Sequence, residues 1–151
     1  MMLTIVGGGA FGTAHATTYA QTHDVNLWSR NASTLLQSRI SHRLPDVQIP
    51  QAVTITDDLA ALHQATVLLA LPMQQLGAFL DTLPAETQPL ALIACCKGID
   101  LNTGLGPVDL IDRARPTSEA AILSGPSFAA DIARGLPTAL VIAARQDAIA
   151  K

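Results

Sequence analysis

The sequence is poor in aromatic residues, charged residues and cysteine. Aromatic side chains make up 3% of its 151 residues and charged ones 14%, and the two cysteines, Cys95 and Cys96, are adjacent. Adjacent cysteines rarely bridge each other, and two thiols with no His or Cys nearby make no zinc site. We therefore expect both to be small packed residues at a strand end, and we expect no metal. The histidines form no ligand pattern, so we expect surface or packing roles for His15, His23, His42 and His63.

Long apolar runs and an excess of positive charge are also absent. No run approaches the roughly 18 apolar residues of a membrane span. No basic region or signal-peptide core precedes the first apolar segment. The net charge of −3 gives no general attraction for nucleic acid. We therefore expect a cytoplasmic protein with no membrane span and no nucleic-acid partner.

Hydrophobic residues nevertheless make up 49% of the chain, and short apolar runs alternate with helical segments. We predict strands at 2–6, 24–28, 53–56, 66–71, 90–95, 120–123 and 138–144. We predict helices at 10–21, from 31 or 33 to 40, from 57 or 58 to 62, at 74–83, 107–113, from about 128 to 134, and at 147–151, and an extended loop at 41–50. This alternation predicts an α/β fold with a Rossmann-like, doubly wound, mostly parallel sheet.

A glycine-rich turn lies between the first strand and the first helix. Gly7, Gly9 and Gly12 follow the G-x-G-x-x-G spacing of dinucleotide-binding turns. In such turns the first glycine turns the chain, the second admits a pyrophosphate, and the third lets the helix pack close to the strand. The helix start, at Ala10 and Phe11, would offer amide groups to the phosphates. A small-residue turn in another kind of α/β domain is the alternative.

The end of the second strand bears on which dinucleotide would bind. An Asp or Glu there selects NAD, whereas an Arg accommodates the 2′-phosphate of NADP. The residues at this position are Trp28-Ser29-Arg30-Asn31, and Asp24 lies at the opposite end of the strand. Arg30 is therefore the candidate phosphate partner, so NADP(H) is favoured and NAD(H) stays possible. Alternatively, Arg30 is a solvent-exposed residue of a capping turn.

Three separated segments together resemble one family. They are residues 7–14 with the following 25–30 strand (VNLWSR), residues 94–99 (ACCKGI), and residues 123–129 (LSGPSFA) continuing through 133–139 (ARGLPTA). Their order and spacing resemble the N-terminal domain of bacterial-type NAD(P)-dependent glycerol-3-phosphate dehydrogenase. The LSGPSFA segment is the most specific of them.

The resemblance implies reduction of dihydroxyacetone phosphate to sn-glycerol 3-phosphate, for phospholipid synthesis, with NAD(P)H as hydride donor. It implies that Lys97 contacts substrate and cofactor, that Gly125 and Ser127 bind substrate oxygens, and that Ala129 faces the cofactor one helical turn in. From the residues alone, Lys97 ends a buried strand at the edge of the sheet where ligands bind, and the alternative is a solvated lysine of a Lys-Gly turn. Ser127 could simply cap a helix.

The resemblance also implies a second, helical domain that carries the general-base lysine. The chain has two lysines, Lys97 and Lys151, and Lys151 follows the LSGPSFA segment too closely to match that base. We therefore expect residues 1–145 to form the dinucleotide-binding domain and 146–151 to begin a helix leading to the missing domain. We expect this chain alone to be inactive, and to be a homo-oligomer or to self-associate. The alternatives are a stand-alone dinucleotide-binding module and another two-domain NADP-dependent dehydrogenase, acting on 2-ketopantoate or 6-phosphogluconate.

Overall fold

Short runs of Val, Ile, Leu and Ala form the strands. The computed structural model describes residues 2–145. Its strands are β1 (Leu3–Val6), β2 (Val25–Trp28), β3 (Ile40–Ser41), β4 (Leu44–Gln48), β5 (Val53–Thr56), β6 (Thr66–Leu69), β7 (Ala91–Ala94), β8 (Glu119–Ser124) and β9 (Val141–Ala144). Every residue of β1 and β7 is buried. A strand covered on both faces needs no polar alternation, which explains why these segments are continuous apolar runs.

Helices connect most of these strands. They are α1 (Ala10–Tyr19), α2 (Ala32–Ser38), α3 (Met73–Thr82), α4 (Pro107–Ala114) and α5 (Ala129–Ala133), together with a 3-10 turn (Leu59–Leu62). Two predicted helix starts are confirmed. The carboxylate of Asp58 accepts a 2.9 Å hydrogen bond from the amide of Ala60, and Pro107 takes the first position of α4, where its missing N–H has no helical acceptor to lose.

Seven strands form one sheet in the order β5-β2-β1-β6-β7-β8-β9. Neighbours are parallel except at one edge, where β9 runs antiparallel to β8. The chain moves outward from β1 to β2 and β5, and then returns to the other side of β1 as β6. This reversal makes a switch point between β1 and β6, where open α/β sheets bind ligands outside the carboxyl ends of their strands. The predicted doubly wound, mostly parallel fold is confirmed.

Apolar side chains cover both faces of the sheet. Residues of α3 and α4 pack on one face, and residues of α1 and α2 pack on the other. Cys95 and Cys96 follow β7 and belong to opposite layers. Both are free thiols, Cys96 buried and Cys95 half-buried, so the prediction that they are packed residues at a strand end is confirmed.

The prediction of an extended loop at 41–50 is wrong over most of its length. β3 and β4 pair there as an antiparallel hairpin, separate from the main sheet. Arg39 holds the base of this hairpin: its guanidinium donates to the carbonyl of Ile49 at 3.1 Å and to those of Pro50 and Val53. The hairpin contains Pro45 in a strand with no further neighbour, a place where the missing N–H is tolerated.

The predicted helix at 146–151 lies outside the described residues. Within residues 2–145, no helix is both long and apolar enough to cross a membrane.

Candidate functional site

The glycine turn connects β1 to α1 at the switch point of the sheet. Gly7 has a φ of +118°, and a Cβ built there would lie 2.4 Å from the carbonyl oxygen of Ala70. A Cβ on Gly12 would lie 2.0 Å from the carbonyl oxygen of Gly7. Both positions therefore exclude any side chain. The backbone roles expected of these two glycines, the sharp turn and the close helix–strand packing, agree with this geometry.

Gly9 differs from its two neighbours in the motif because the space in front of it is open. Its φ of −78° suits any residue, and the nearest atom to an added Cβ is the Cδ of Arg43, 4.0 Å away. The first hydrogen bond of α1 runs from Thr13 N–H to Gly9 C=O at 3.0 Å. The amides of Ala10 and Phe11 precede it and have no helical acceptor. The open space thus faces free donors and the positive end of the helix.

A cleft of about 490 Å³ extends from this turn along the carboxyl ends of β1, β2 and β6. Its lining includes three basic side chains, Arg30, His42 and Arg43, and no carboxylate. The chain as a whole has a net charge of −3, so the charged side chains that line this cleft are opposite in sign to the net charge of the protein. A phosphate-bearing ligand is the type of molecule that such a cleft attracts.

Arg30 lies at the end of β2, where the sequence places the ribose-recognition residue. Its guanidinium is exposed and donates to the side-chain oxygen of Gln75 at 3.3 Å. Trp28, just before it, is buried and donates from its indole nitrogen to the carbonyl of Asp57 at 2.9 Å. Asp24 lies at the other end of β2, where its carbonyl accepts from Leu3 N–H. No acidic side chain therefore competes with Arg30 for the ribose position of the cleft.

A second, smaller cavity of about 150 Å³ adjoins the cleft. Its lining brings together Lys97, Gly125 and Ser127, the three residues that the resemblance assigns to the substrate. The ammonium of Lys97 and the hydroxyl of Ser127 each donate to the carbonyl oxygen of Gly125 at 3.4 Å. Phe11 and Cys95 line both cavities, so the two spaces meet at these side chains.

The structure shows why position 125 is a glycine and what the Ser127 hydroxyl binds, neither of which was evident from the sequence. A Cβ on Gly125 would lie 2.2 Å from the carbonyl oxygen of Ala139, so glycine is required by close packing against the segment before β9. Helix capping by Ser127 does not occur, because Phe128 takes the N-cap position of α5 and no side chain caps it. The Ser127 hydroxyl is directed to the Gly125 carbonyl instead.

Ala129, like Gly12, is a predicted site residue that lines neither cavity. It is the first residue of α5 rather than one turn inside it. It packs with Ala10 and Phe11 against a small cluster between α1, α5 and the hairpin. Its contact with a cofactor stays a prediction.

Two titratable groups beside the site are held neutral by burial. Burial, and secondarily the neighbouring Cys96, raises the pKa of the Cys95 thiol to about 12. Cys95 therefore stays protonated at neutral pH and lines the site as an uncharged residue, not as a nucleophile. Burial lowers the pKa of His15 to about 4. The His15 ring packs against Phe11, with centroids 4.4 Å apart, and stacks on Tyr19 at 5.4 Å. The other histidines are exposed, so surface or packing roles are confirmed for all four.

Several residues of the cleft were missed by sequence reasoning. Gly8, His42, Arg43, Gln75 and Cys95 all line it. The position of Cys95, directly after a buried strand, was a usable signal, because the carboxyl ends of parallel strands share one edge of the sheet. Nothing in the sequence indicated His42 or Arg43, which reach the cleft only through the docking of the hairpin. Among residues 2–145, no three His, Cys, Asp or Glu side chains are grouped to hold a metal.

Comparison with known proteins gives one consistent result. The family model described as NAD-dependent glycerol-3-phosphate dehydrogenase N-terminus matches residues 2–150. A glycerol-3-phosphate dehydrogenase [NAD(P)+] of Cereibacter sphaeroides is 51% identical over 147 residues, covering 97% of this chain and 45% of the relative. The enzyme of the same name from Paracoccus denitrificans is 49% identical over 143 residues, covering 95% of this chain and 45% of the relative.

A solved structure supports the same fold. The glycerol-3-phosphate dehydrogenase of Coxiella burnetii superposes with a TM-score of 0.83 at 24% identity, over 98% of this chain and 48% of that one. The chain therefore spans somewhat under half the length of the relatives it matches.

Proposed function

The chain belongs to the family of NAD-dependent glycerol-3-phosphate dehydrogenase N-terminal domains, and from this we propose that it binds NAD(P)H as the cofactor domain of such a dehydrogenase. The reaction would reduce dihydroxyacetone phosphate to sn-glycerol 3-phosphate, which enters phospholipid synthesis. The observation that carries the proposal is the pair of adjoining cavities, one with the glycine turn and one with Lys97, which meet at Phe11 and Cys95. A hydride donor and its acceptor need two such sites in contact.

The residues of the cleft fit a dinucleotide. The open space before Gly9 admits a pyrophosphate, and the amides of Ala10 and Phe11 would donate to it. Gly7 and Gly12 hold the turn and the helix in place. Arg30 would contact the adenosine ribose and, where present, its 2′-phosphate. The bound cofactor supplies the hydride, while the protein binds and orients it.

The smaller cavity fits the polar groups of a phosphorylated ketone. Lys97 would place a positive charge beside substrate oxygens and polarise the carbonyl that accepts hydride. The backbone of Gly125 and the hydroxyl of Ser127 would bind the remaining oxygens. Lys97 already lies 3.4 Å from the Gly125 carbonyl, so the ammonium is held at this cavity before a ligand arrives. Ala129 would support the cofactor side through its packing with Phe11.

The proton of the reaction would come from outside these residues. Lys97 is assigned to the substrate, and Lys151 lies outside the described part of the chain. Since the chain spans 45% of the length of the relatives above, we assign the general-base lysine to a second, helical domain. Residues 1–145 would then be the dinucleotide-binding domain, with 146–151 leading toward that second domain. A cytoplasmic location and self-association are further parts of this proposal.

One experiment separates the enzyme proposal from a stand-alone binding module. The chain is mixed with NADPH and dihydroxyacetone phosphate, and both nicotinamide fluorescence and nicotinamide absorbance are followed. We expect fluorescence enhancement on binding and no oxidation over buffer, with oxidation appearing when the remaining half of a relative is supplied. Turnover by the chain alone would contradict the assignment of the proton donor. Binding with no gain from the added half would favour the stand-alone module.

A further inference from the structure

The β3–β4 turn is fastened over the glycine turn by two buried residues. Ser41, which is fully buried, donates from its hydroxyl to the carbonyl of Gly8 at 2.7 Å, across 33 positions of sequence. Leu44, on the other side of the turn, is buried against Ala14 of α1. The two residues between these anchors, His42 and Arg43, are exposed and line the cleft. Their backbone is therefore positioned by the same elements that shape the glycine turn.

The Arg43 side chain extends across the front of that turn. Its Cδ is the nearest atom to a Cβ built on Gly9, at 4.0 Å. Within residues 2–145 its guanidinium has no hydrogen-bond or ion-pair partner, and no acidic residue lines the cleft. Arg39, on the same segment, instead donates to three backbone carbonyls and so has a structural role. Unlike Arg39, Arg43 therefore has a guanidinium unpaired among the described residues, beside the expected phosphate position.

Arg30 and Arg43 serve different parts of the cleft. Arg30 follows β2 and is tied to Gln75 of α3, so it lies at the ribose end. Arg43 lies over Gly9, at the end where the free amides of α1 begin. A guanidinium there forms charge-assisted hydrogen bonds with phosphate oxygens.

We infer that Arg43 is a pyrophosphate-binding residue, which closes over the dinucleotide from the hairpin side while the amides of α1 hold it from below. This inference rests on the proposed dinucleotide binding and adds a contact that NADH and NADPH share. Arg30, by contrast, would distinguish the two through the 2′-phosphate. The hairpin thereby belongs to the binding site and is not a peripheral insertion.

The test measures the affinities of ADP, NADH and NADPH for the full chain, for Arg43→Ala, and for Arg113→Ala. Arg113 is an exposed arginine of α4 outside the cleft, so its variant removes the same charge without touching the site. We expect Arg43→Ala to weaken all three ligands by about the same factor, on the order of tenfold for a partly exposed charge-assisted contact. Arg113→Ala should leave the affinities unchanged, and Arg43→Lys should retain part of the binding.

The other possible outcomes would overturn either this inference alone or the proposed function as well. Unchanged affinities in Arg43→Ala, with an active parent chain, would overturn the inference and leave the proposed function standing. A loss confined to NADPH would place Arg43 at the 2′-phosphate and would also overturn it. Failure of the parent to bind any of the three ligands would overturn the proposed function and this inference with it. Matching urea midpoints of the variants and the parent establish that the fold is intact.

Discussion

Acidification should destabilise this protein through His15. The side chain is 2% exposed in α1, and its Nε2 is buried with no hydrogen-bond partner among the described residues. Burial lowers its folded-state pKa from 6.5 to about 4. Between these values the unfolded chain binds a proton that the folded chain does not, so stability is fully present above pH 6.5 and falls as the pH drops toward 4.

The size of the effect follows from the two pKa values. One pKa unit corresponds to about 1.4 kcal/mol, so lowering the pKa from 6.5 to about 4 gives at most about 3 kcal/mol once His15 is protonated in both states. At pH 5 the linkage relation gives about 2 kcal/mol. For a domain of this size that is a substantial part of the free energy of unfolding.

Urea unfolding at pH 7 and pH 5 measures the loss of unfolding free energy that His15 causes, with His15→Leu as the variant and His23→Gln as the control. The parent and the control should lose about 2 kcal/mol more than His15→Leu between the two pH values, because His23 is exposed. An NMR titration of the His15 ring supplies a second readout, with a midpoint near 4 expected. Equal losses in all three proteins, or a His15 midpoint near 6.5, would show that burial of His15 does not cause the loss of stability.

Three further predictions concern the cleft and the surface. Gly12→Ala should unfold the domain or destabilise it by several kcal/mol, because its Cβ would lie 2.0 Å from a backbone oxygen; an unchanged urea midpoint would contradict the packing argument. Arg30→Ala should weaken NADPH more than NADH and so remove a preference for NADPH that the parent should show in the same titration; equal parental affinities would count against the role of Arg30. Self-association should be visible by sedimentation at high concentration and reduced in Phe128→Ser, since Phe128 is 76% exposed; a strictly monomeric parent would oppose it.

The centre of the sheet was predictable from sequence because its inner strands, β1, β6 and β7, are buried on both faces. Segments such as β7 are uniformly apolar, and the residues after each strand could be assigned to one edge of the sheet. The same reasoning assigns Lys97, which follows a buried strand, to the edge that carries the glycine turn. It works because parallel topology converts positions in the sequence into positions in space.

The hairpin and the position of Arg43 were not predictable, because they depend on contacts between residues far apart in the sequence. Pro45 and Pro50 interrupt the segment and favour a loop prediction, whereas the strand forms because Ser41 binds Gly8 and Leu44 packs against α1. These contacts join residues about thirty positions apart and leave no local signal. The interpretation of Ser127 as a cap failed similarly, because the helix begins only after Phe128.

A fluorescence titration of NADPH into the full chain tests whether the glycine turn binds a dinucleotide. Gly9→Val is the matched variant, because its side chain would enter open space without disturbing the fold. We expect saturable binding by the parent at one site per chain. We expect no binding by Gly9→Val at an unchanged urea midpoint. Absence of saturable binding by the parent, or equal affinity in the variant, would contradict dinucleotide binding by the glycine turn.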